Sequence, residues 1–265
     1  MTTYHILILA LVQGITEFLP ISSSGHLILT SEILGWPDQG LLIDVSVHVG
    51  TLVAVVMYFW RDMWEMTVGL FRMLRGRSTP GGRLALLIIL ATIPVVVVGF
   101  LAKPVVETAF RNAEIIAWAT LGFGIVLWVS DRIGMTVHRI EHMRWGNALF
   151  IGLMQVLALI PGTSRSGITM TAARFLGMER PDAARFSMLL SIPTILGAGV
   201  LGGIDLYKTG DLVLGREALI GASFSFITAV FAIWGLMRWL RHSGFGPFVL
   251  YRIAMAAGLI YWVYA

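Results

Sequence analysis

Apolar runs of two lengths alternate along the chain. Six of them approach the roughly 20 residues needed to cross a bilayer: Leu41 to Trp60, Leu84 to Leu101, Ala113 to Val129, Ala183 to Leu201, Ala218 to Leu236 and Pro247 to Tyr264. Two other regions carry shorter arms, Ile6 to Leu19 with Leu27 to Leu34, and Ala148 to Ile160 with Ile168 to Leu176. Each pair of arms flanks a turn rich in hydroxyls and glycine. Exposed backbone in hydrocarbon is costly, so such a broken segment fits two half-length helices meeting at a tip, a re-entrant hairpin that enters and leaves on one side. The pattern predicts an all-α polytopic membrane protein, one integral membrane domain over residues 1–265, with six transmembrane helices and two re-entrant helical hairpins.

The two broken regions are copies. Gln13 to Gly35 lies over Gln155 to Gly177 at one constant offset without a gap, pairing Ser22 with Ser164, Ser24 with Ser166, Gly25 with Gly167 and Gly35 with Gly177. Each copy is followed by three long apolar runs, giving halves of about 1–130 and 146–265. An odd number of passes per half turns the second copy upside down, an inverted-topology repeat whose tips can meet near the midplane.

Charge sets the orientation. Arg61, Arg72, Arg75, Arg77 and Arg83 crowd one connection, Arg132, Arg139 and Arg144 another, and Arg238 and Arg241 a third, so these loops are expected on the cytoplasmic side. The opposite loops mix signs, with Lys103, Glu107, Arg111 and Glu114 in one and Asp205, Lys208, Asp211, Arg216 and Glu217 in the other. Both termini are then expected outside. The opening Met1-Thr-Thr-Tyr-His lacks the basic start of a signal peptide, so the first apolar run is expected to be retained.

Composition agrees. Hydrophobic residues make up 57% of the chain and charged residues 13%, about half the usual soluble share, and mean hydropathy is +0.83. The net charge of +4 resides in short loops, with no long basic or aromatic-basic stretch, which argues against nucleic acid. With no cysteine, disulfides, thiol catalysis and thiolate metal sites are excluded.

The tips carry the candidate chemistry. In the first, Gln13 and Glu17 are four apart and share a helix face. A carboxylate inside an apolar arm needs a partner, and a hard cation such as Mg²⁺ or Ca²⁺, its shell completed by a phosphate, is a natural one. Pro20 ends the arm; Ser22, Ser23, Ser24 and Gly25 then form a hydroxyl and backbone N–H cradle for an anion, with His26 able to exchange a proton beside it. The second tip, Pro161-Gly162-Thr163-Ser164-Arg165-Ser166-Gly167, places a fixed guanidinium among hydroxyls, where it suits a bound phosphate or neutralises Glu17 across the two tips. Asp44 and His48 share a face of the first full pass and are candidates for a supporting shell. Arg252 is read as an interfacial arginine that snorkels, and Glu32, Arg174, Glu179, Arg180, Asp182 and Arg185 as solvated or interfacial charges.

The runs Gln13-Gly-Ile-Thr-Glu-Phe-Leu-Pro-Ile-Ser-Ser-Ser-Gly-His26 and Pro161-Gly-Thr-Ser-Arg-Ser-Gly167, with Phe59-Trp60-Arg61 and Ser191-Ile-Pro193, resemble the undecaprenyl-diphosphate phosphatases of the bacitracin-resistance type over essentially the whole chain. The resemblance implies a bacterial inner-membrane enzyme that removes the terminal phosphate of undecaprenyl diphosphate to regenerate the lipid carrier for peptidoglycan synthesis. It also implies divalent-cation dependence and an active site reached from the periplasm. It carries function onto Glu17, Ser22, Ser23, Ser24, His26, Thr163, Ser164 and Arg165, while Ser166, Gly167 and Gly25 complete the phosphate cradle. Some members have glutamate where this chain has Gln13, whose amide cannot supply a second negative charge. Ser23 is the expected nucleophile with His26 as its proton acceptor, and direct attack by activated water is the alternative. The expected partners are a polyprenyl diphosphate, the bilayer and a second copy of the chain in a homodimer. A secondary transporter or flippase of a lipid-linked or small anion is the rival reading, because inverted repeats with broken helices also build carriers.

Overall fold

A computed structural model describes residues 3–36, 40–109, 112–209 and 212–265. Its described residues are helical, in the order α1 (Thr3–Thr16), α2 (Ser23–Leu34), α3 (Gly40–Tyr58), α4 (Trp60–Met73), α5 (Pro80–Ala109), α6 (Ala113–Ile133), α7 (Trp145–Gln155), α8 (Arg165–Phe175), α9 (Arg180–Thr209), α10 (Leu212–Leu240) and α11 (Gly246–Tyr264). Single 3₁₀ turns at Ile140–His142 and Val156–Leu159 lead into and out of α7. Among the described residues four helices are long and apolar enough to cross a membrane, in α5, α6, α10 and α11, and counting the bent pair α3 and α4 as one span gives up to five. The run Ala183 to Leu201 lies in α9, whose described part opens with Arg180, Asp182 and Arg185 and does not join that count.

The packing partners cross between the first and second parts of the chain. Helix α1 packs on α10 and α7 on α5, while α3 meets α9 and α6 meets α11. Close approach is built into the sequence where these helices cross. A Cβ added to Gly50 of α3 would sit 2.1 Å from the Ala222 carbonyl oxygen of α10, and one on Gly152 of α7 would sit 2.4 Å from that of Ala91 in α5. Both gaps lie far inside van der Waals contact, so these crossings need glycine.

The stretch expected as a basic loop after the first pass is largely a helix. At Phe59 the chain bends by 80° into α4. Met63, Met66 and Leu70 recur at helical spacing and pack toward the core, while Arg61 and Arg72 stay exposed. Several charges expected to be solvated are instead paired. Arg174 is fully buried, 3.3 Å from Asp131, and its guanidinium donates to the carbonyls of Gly134 at 2.8 Å and of Met178. Arg180 bonds the same Asp131 at 2.7 Å, Arg185 pairs with Asp62, and Glu179 with Arg139 at 3.2 Å. Long basic side chains can reach across a helix end, so carboxylates on neighbouring elements capture them. Of the charges expected in the mixed loops, Arg111, Asp211 and the side chains of Lys103, Glu107, Asp205 and Lys208 lie outside the described residues.

Candidate functional site

The two tips share one backbone. Ser22 and Ser164 are the non-glycine residues with positive φ among the described residues, at 75° and 71°. Each caps the helix that follows: the Ser22 hydroxyl accepts from Gly25 N–H at 3.4 Å and that of Ser164 from Gly167 N–H at 3.1 Å. Each hydroxyl also faces that of the second serine along, Ser24 at 3.5 Å and Ser166 at 3.1 Å. Gly35 and Gly177, at the far end of the repeated segment, share positive φ as well, 62° and 79°. A non-glycine residue at such φ costs on the order of 1–3 kcal/mol and persists only where its surroundings over-determine it.

The tips meet at Glu17. Its carboxylate, 7% exposed, accepts from Arg165 Nη2 at 2.6 Å, from Ser23 Oγ at 2.7 Å and from Gln13 Nε2 at 2.8 Å. His48 Nε2 of α3 stands 3.6 Å from the same carboxylate, with its ring held by an Nδ1 bond of 2.7 Å to the Asp44 carbonyl oxygen. Arg165 is steadied in turn by the Ser187 carbonyl at 3.2 Å, and Ser187 Oγ pairs with Thr169 Oγ1 at 2.7 Å. Across the junction, Ser166 Oγ donates to the Leu19 carbonyl at 2.9 Å. Thus Gln13, Glu17, Ser23, Arg165 and His48 converge, and Asp44 joins through its backbone. Ser24 is exposed beside them, and Ser22, Ser164, Ser166, Gly25 and Gly167 build the turns. Thr163 is fully buried with no hydrogen-bond partner for its hydroxyl among the described residues.

His26 lies on another side of the tip. Its Nδ1 bonds the Ser22 carbonyl at 2.7 Å and its Nε2 the Tyr251 hydroxyl at 2.6 Å, while Ser23 is bonded to Glu17. A groove of about 660 Å³ runs from His26 and Tyr251 past Leu29 and Met255 to Trp262, between α2 and α11.

The family model described as "Bacitracin resistance protein BacA" matches residues 6–258. The chain belongs to the BacA family. It is 49% identical over 270 residues to undecaprenyl-diphosphatase 1 of Rhodospirillum rubrum, covering 98% of this chain and 95% of the relative. It is 50% identical over 262 residues to an undecaprenyl-diphosphatase of Ruegeria pomeroyi, covering 98% of each chain. An undecaprenyl-diphosphatase of Alcanivorax borkumensis is 50% identical over 264 residues, 99% of this chain and 100% of the relative.

In this BacA-family chain the residue most misjudged from sequence is Arg252. It is fully buried rather than snorkelling. Its guanidinium donates to the carbonyls of Pro20 at 3.2 Å and Gly162 at 2.9 Å, the same position in the two copies of the repeat, while Nε holds the Thr120 carbonyl of α6 at 3.1 Å. One cation therefore ties both tips to α6 and α11. The one sequence signal was an arginine set in the apolar run of α11, a costly placement that calls for partners. Tyr251 and Ser187 were also missed, since nothing local marks a hydroxyl whose partner comes from another helix.

Gln13 bears on a cation. Its Oε1 is buried without a hydrogen-bond partner among the described residues, while its Nε2 serves Glu17. An orphaned amide oxygen beside a carboxylate is a donor set a hard cation accepts. No group of three His, Asp or Glu that could hold a metal ion occurs among the described residues. With one carboxylate and one free amide oxygen to offer, these residues could hold a hard cation only if it took most of its shell from water and substrate phosphate.

Proposed function

We propose that the chain hydrolyses undecaprenyl diphosphate to undecaprenyl phosphate and inorganic phosphate, with the chemistry at the junction of the two tips. The reading rests on one observation above the rest: a serine hydroxyl, a carboxylate and an arginine are hydrogen-bonded in series, Ser23 to Glu17 to Arg165, within a family whose curated relatives carry the name undecaprenyl-diphosphatase.

Ser23 is the nucleophile. As its Oγ forms a bond to the terminal phosphorus, the bridging P–O bond breaks, undecaprenyl phosphate leaves with the electron pair, and the Ser23 proton passes to Glu17. Water then attacks the phosphoserine phosphorus, the Ser23 Oγ–P bond breaks, Oγ takes back the proton held on Glu17, and the protons of the water leave with inorganic phosphate. Glu17 takes the proton in place of His26 because the Ser23 hydroxyl is bonded to it. Arg165, held at the junction by Glu17, turns its remaining N–H groups to the phosphoryl oxygens, and the exposed Ser24 and the unpartnered Thr163 hydroxyl add donors, while Ser22, Gly25, Ser164, Ser166 and Gly167 build the turns that place them. Glu17 and Gln13 would hold a divalent cation, Mg²⁺ or Ca²⁺, which when bound supplies a Lewis acid for the phosphoryl oxygens.

In the membrane, α3, α5, α6, α9, α10 and α11 are six passes, and α1 with α2 and α7 with α8 are re-entrant hairpins of opposite sense. The exchanged packing of α1 on α10 and α7 on α5, and the matching φ of Ser22 and Ser164, support an inverted repeat. Both termini and the opening of the site face the periplasm, with the arginine-rich connections inside. Single cysteines placed in this cysteine-free chain test that orientation: labelling of the 74–79 connection from outside overturns it.

Phosphate release by the purified protein, with and without chelator, tests the activity. Release that needs a divalent cation and is lost in Glu17→Ala is the expected result. Movement of the lipid across liposomes without release would assign the protein to transport instead. A phosphoserine trapped in a single turnover is expected at Ser23, and its absence in a protein that turns over substrate would favour direct attack by water.

A further inference from the structure

The tautomer of His26 is set from α11. Its Nδ1 faces the Ser22 carbonyl oxygen, which can only accept, so Nδ1 carries the proton. In the neutral ring Nε2 is then the acceptor, and Tyr251 Oη donates to it at 2.6 Å. The two rings lie nearly parallel, 11° apart with centroids 5.6 Å distant. The Ser22 carbonyl also accepts the His26 backbone N–H at 3.2 Å. A hydrogen-bonded chain therefore runs from Tyr251 through His26 to the carbonyl of Ser22, the residue at φ 75° that immediately precedes Ser23. The other tautomer would turn a lone pair of Nδ1 against that carbonyl oxygen and release the strained turn.

The second tip shows why the first needs such a strut. There Ile168 occupies the position of His26, and Ser164 is held by its surroundings: Thr163, Ser164, Ser166 and Gly167 are all buried, and Ser166 is bonded across to Leu19. In the first tip Ile21, Ser22 and Gly25 are buried as well, but Ser24, in the place of Ser166, is exposed and among the described residues faces only Ser22 of its own turn. The first turn therefore lacks the bond that Ser166 makes from the second tip to Leu19, and a side chain from α11 supplies a restraint in its place.

We infer that Tyr251 is a positioning residue: by donating to Nε2 it fixes the His26 tautomer that clamps Ser22 and so places the Ser23 hydroxyl at Glu17. The inference rests on the phosphatase reading above. Tyr251 also walls the groove between α2 and α11, and Tyr251→Phe keeps that wall while removing the donor.

The test uses the purified full chain in lipid nanodiscs, with phosphate release from undecaprenyl diphosphate and ¹⁵N-histidine spectra as readouts. Wild-type protein that releases no phosphate overturns the phosphatase reading, and the spectra then still test the tautomer. With wild type active, Tyr251→Phe should lower kcat about 3- to 10-fold, the scale of one hydrogen bond, with KM within about twofold. The His26 signal should move from a pure Nδ1–H tautomer toward a mixture. Tyr251→Leu, which removes the ring too, should lower kcat by a similar factor and raise KM. An unchanged kcat and His26 signal in Tyr251→Phe would overturn the inference, and so would a raised KM with unchanged kcat.

Discussion

The two tips share a turn but divide the chemistry. Where the first has Glu17, Ser23 and His26, the second has Leu159, Arg165 and Ile168. Gln13 and Gln155 are both fully buried, yet Gln13 donates to Glu17, whereas Gln155 reaches the Ala91 carbonyl of α5 at 3.5 Å. The first tip exposes Ser24 and holds a serine hydroxyl bonded to its carboxylate. The second is buried and contributes a single cation. What the duplication supplies is a paired scaffold, a capped and strained turn used twice, and what divergence supplies is a charge pair that exists only when the turns meet. A symmetric carrier would have no use for that inequality, whereas a site that activates a hydroxyl and neutralises a phosphate requires it.

The comparison breaks most sharply at the charge pair. Glu17→Gln keeps the size of the side chain but removes the proton acceptor and the negative charge, and phosphate release should fall on the order of 10³-fold. Arg165→Ser gives the second tip the residue of the first and should cost on the order of 10² in kcat. Near-normal turnover in either variant would mean that the division of labour is structural and not chemical.

Arg252 tests whether the tips act as a unit. It donates to the equivalent carbonyls of both, and removing it strands those acceptors inside the protein. Arg252→Met, of similar length and without donors, should lower unfolding stability by about 3 kcal/mol, the range for breaking a buried charged network. Thermal unfolding in detergent measures it. An unchanged melting temperature would show that the two tips are held apart from Arg252.

How far the sequence foretold these contacts depends on how local they are. The tips were legible because each packs its turn residues, cap and proline into a few consecutive positions, and the gap-free overlay marked them as one motif used twice. The approach of Arg165 to Glu17 followed from placing an unpaired cation and an unpaired carboxylate at tips expected to meet. Helix α4 was hidden because charge outweighs its apolar stripe of Met63, Met66 and Leu70, so a hydropathy reading gives a loop. Arg174 and Arg252 were misread because backbone carbonyls satisfy most of their donors. A carbonyl is present at every residue and leaves no trace in the sequence, so an arginine bonded to Pro20, Gly162 and Thr120 reads the same as one reaching for water.

The finest distinction concerns the turn itself, and it should produce the smallest effects. Ser22 and Ser164 each bear positive φ and each cap a helix, so substitution separates strain from capping. Glycine relieves the strain and loses only a few tenths of a kcal/mol as a cap, so Ser22→Gly and Ser164→Gly should both unfold within about 1 kcal/mol of wild type. Alanine keeps the strain and loses the cap, costing about 1 kcal/mol at Ser22. At Ser164 the cost should be nearer 2 kcal/mol, because its hydroxyl makes the shorter bonds to Gly167 and Ser166 and leaves buried partners behind. Thermal unfolding of the four variants decides the matter. Equal losses for glycine and alanine at both positions would mean that the turn carries no strain, whereas a larger loss at Ser22 than at Ser164 would reverse the assignment of the second tip as the more tightly held.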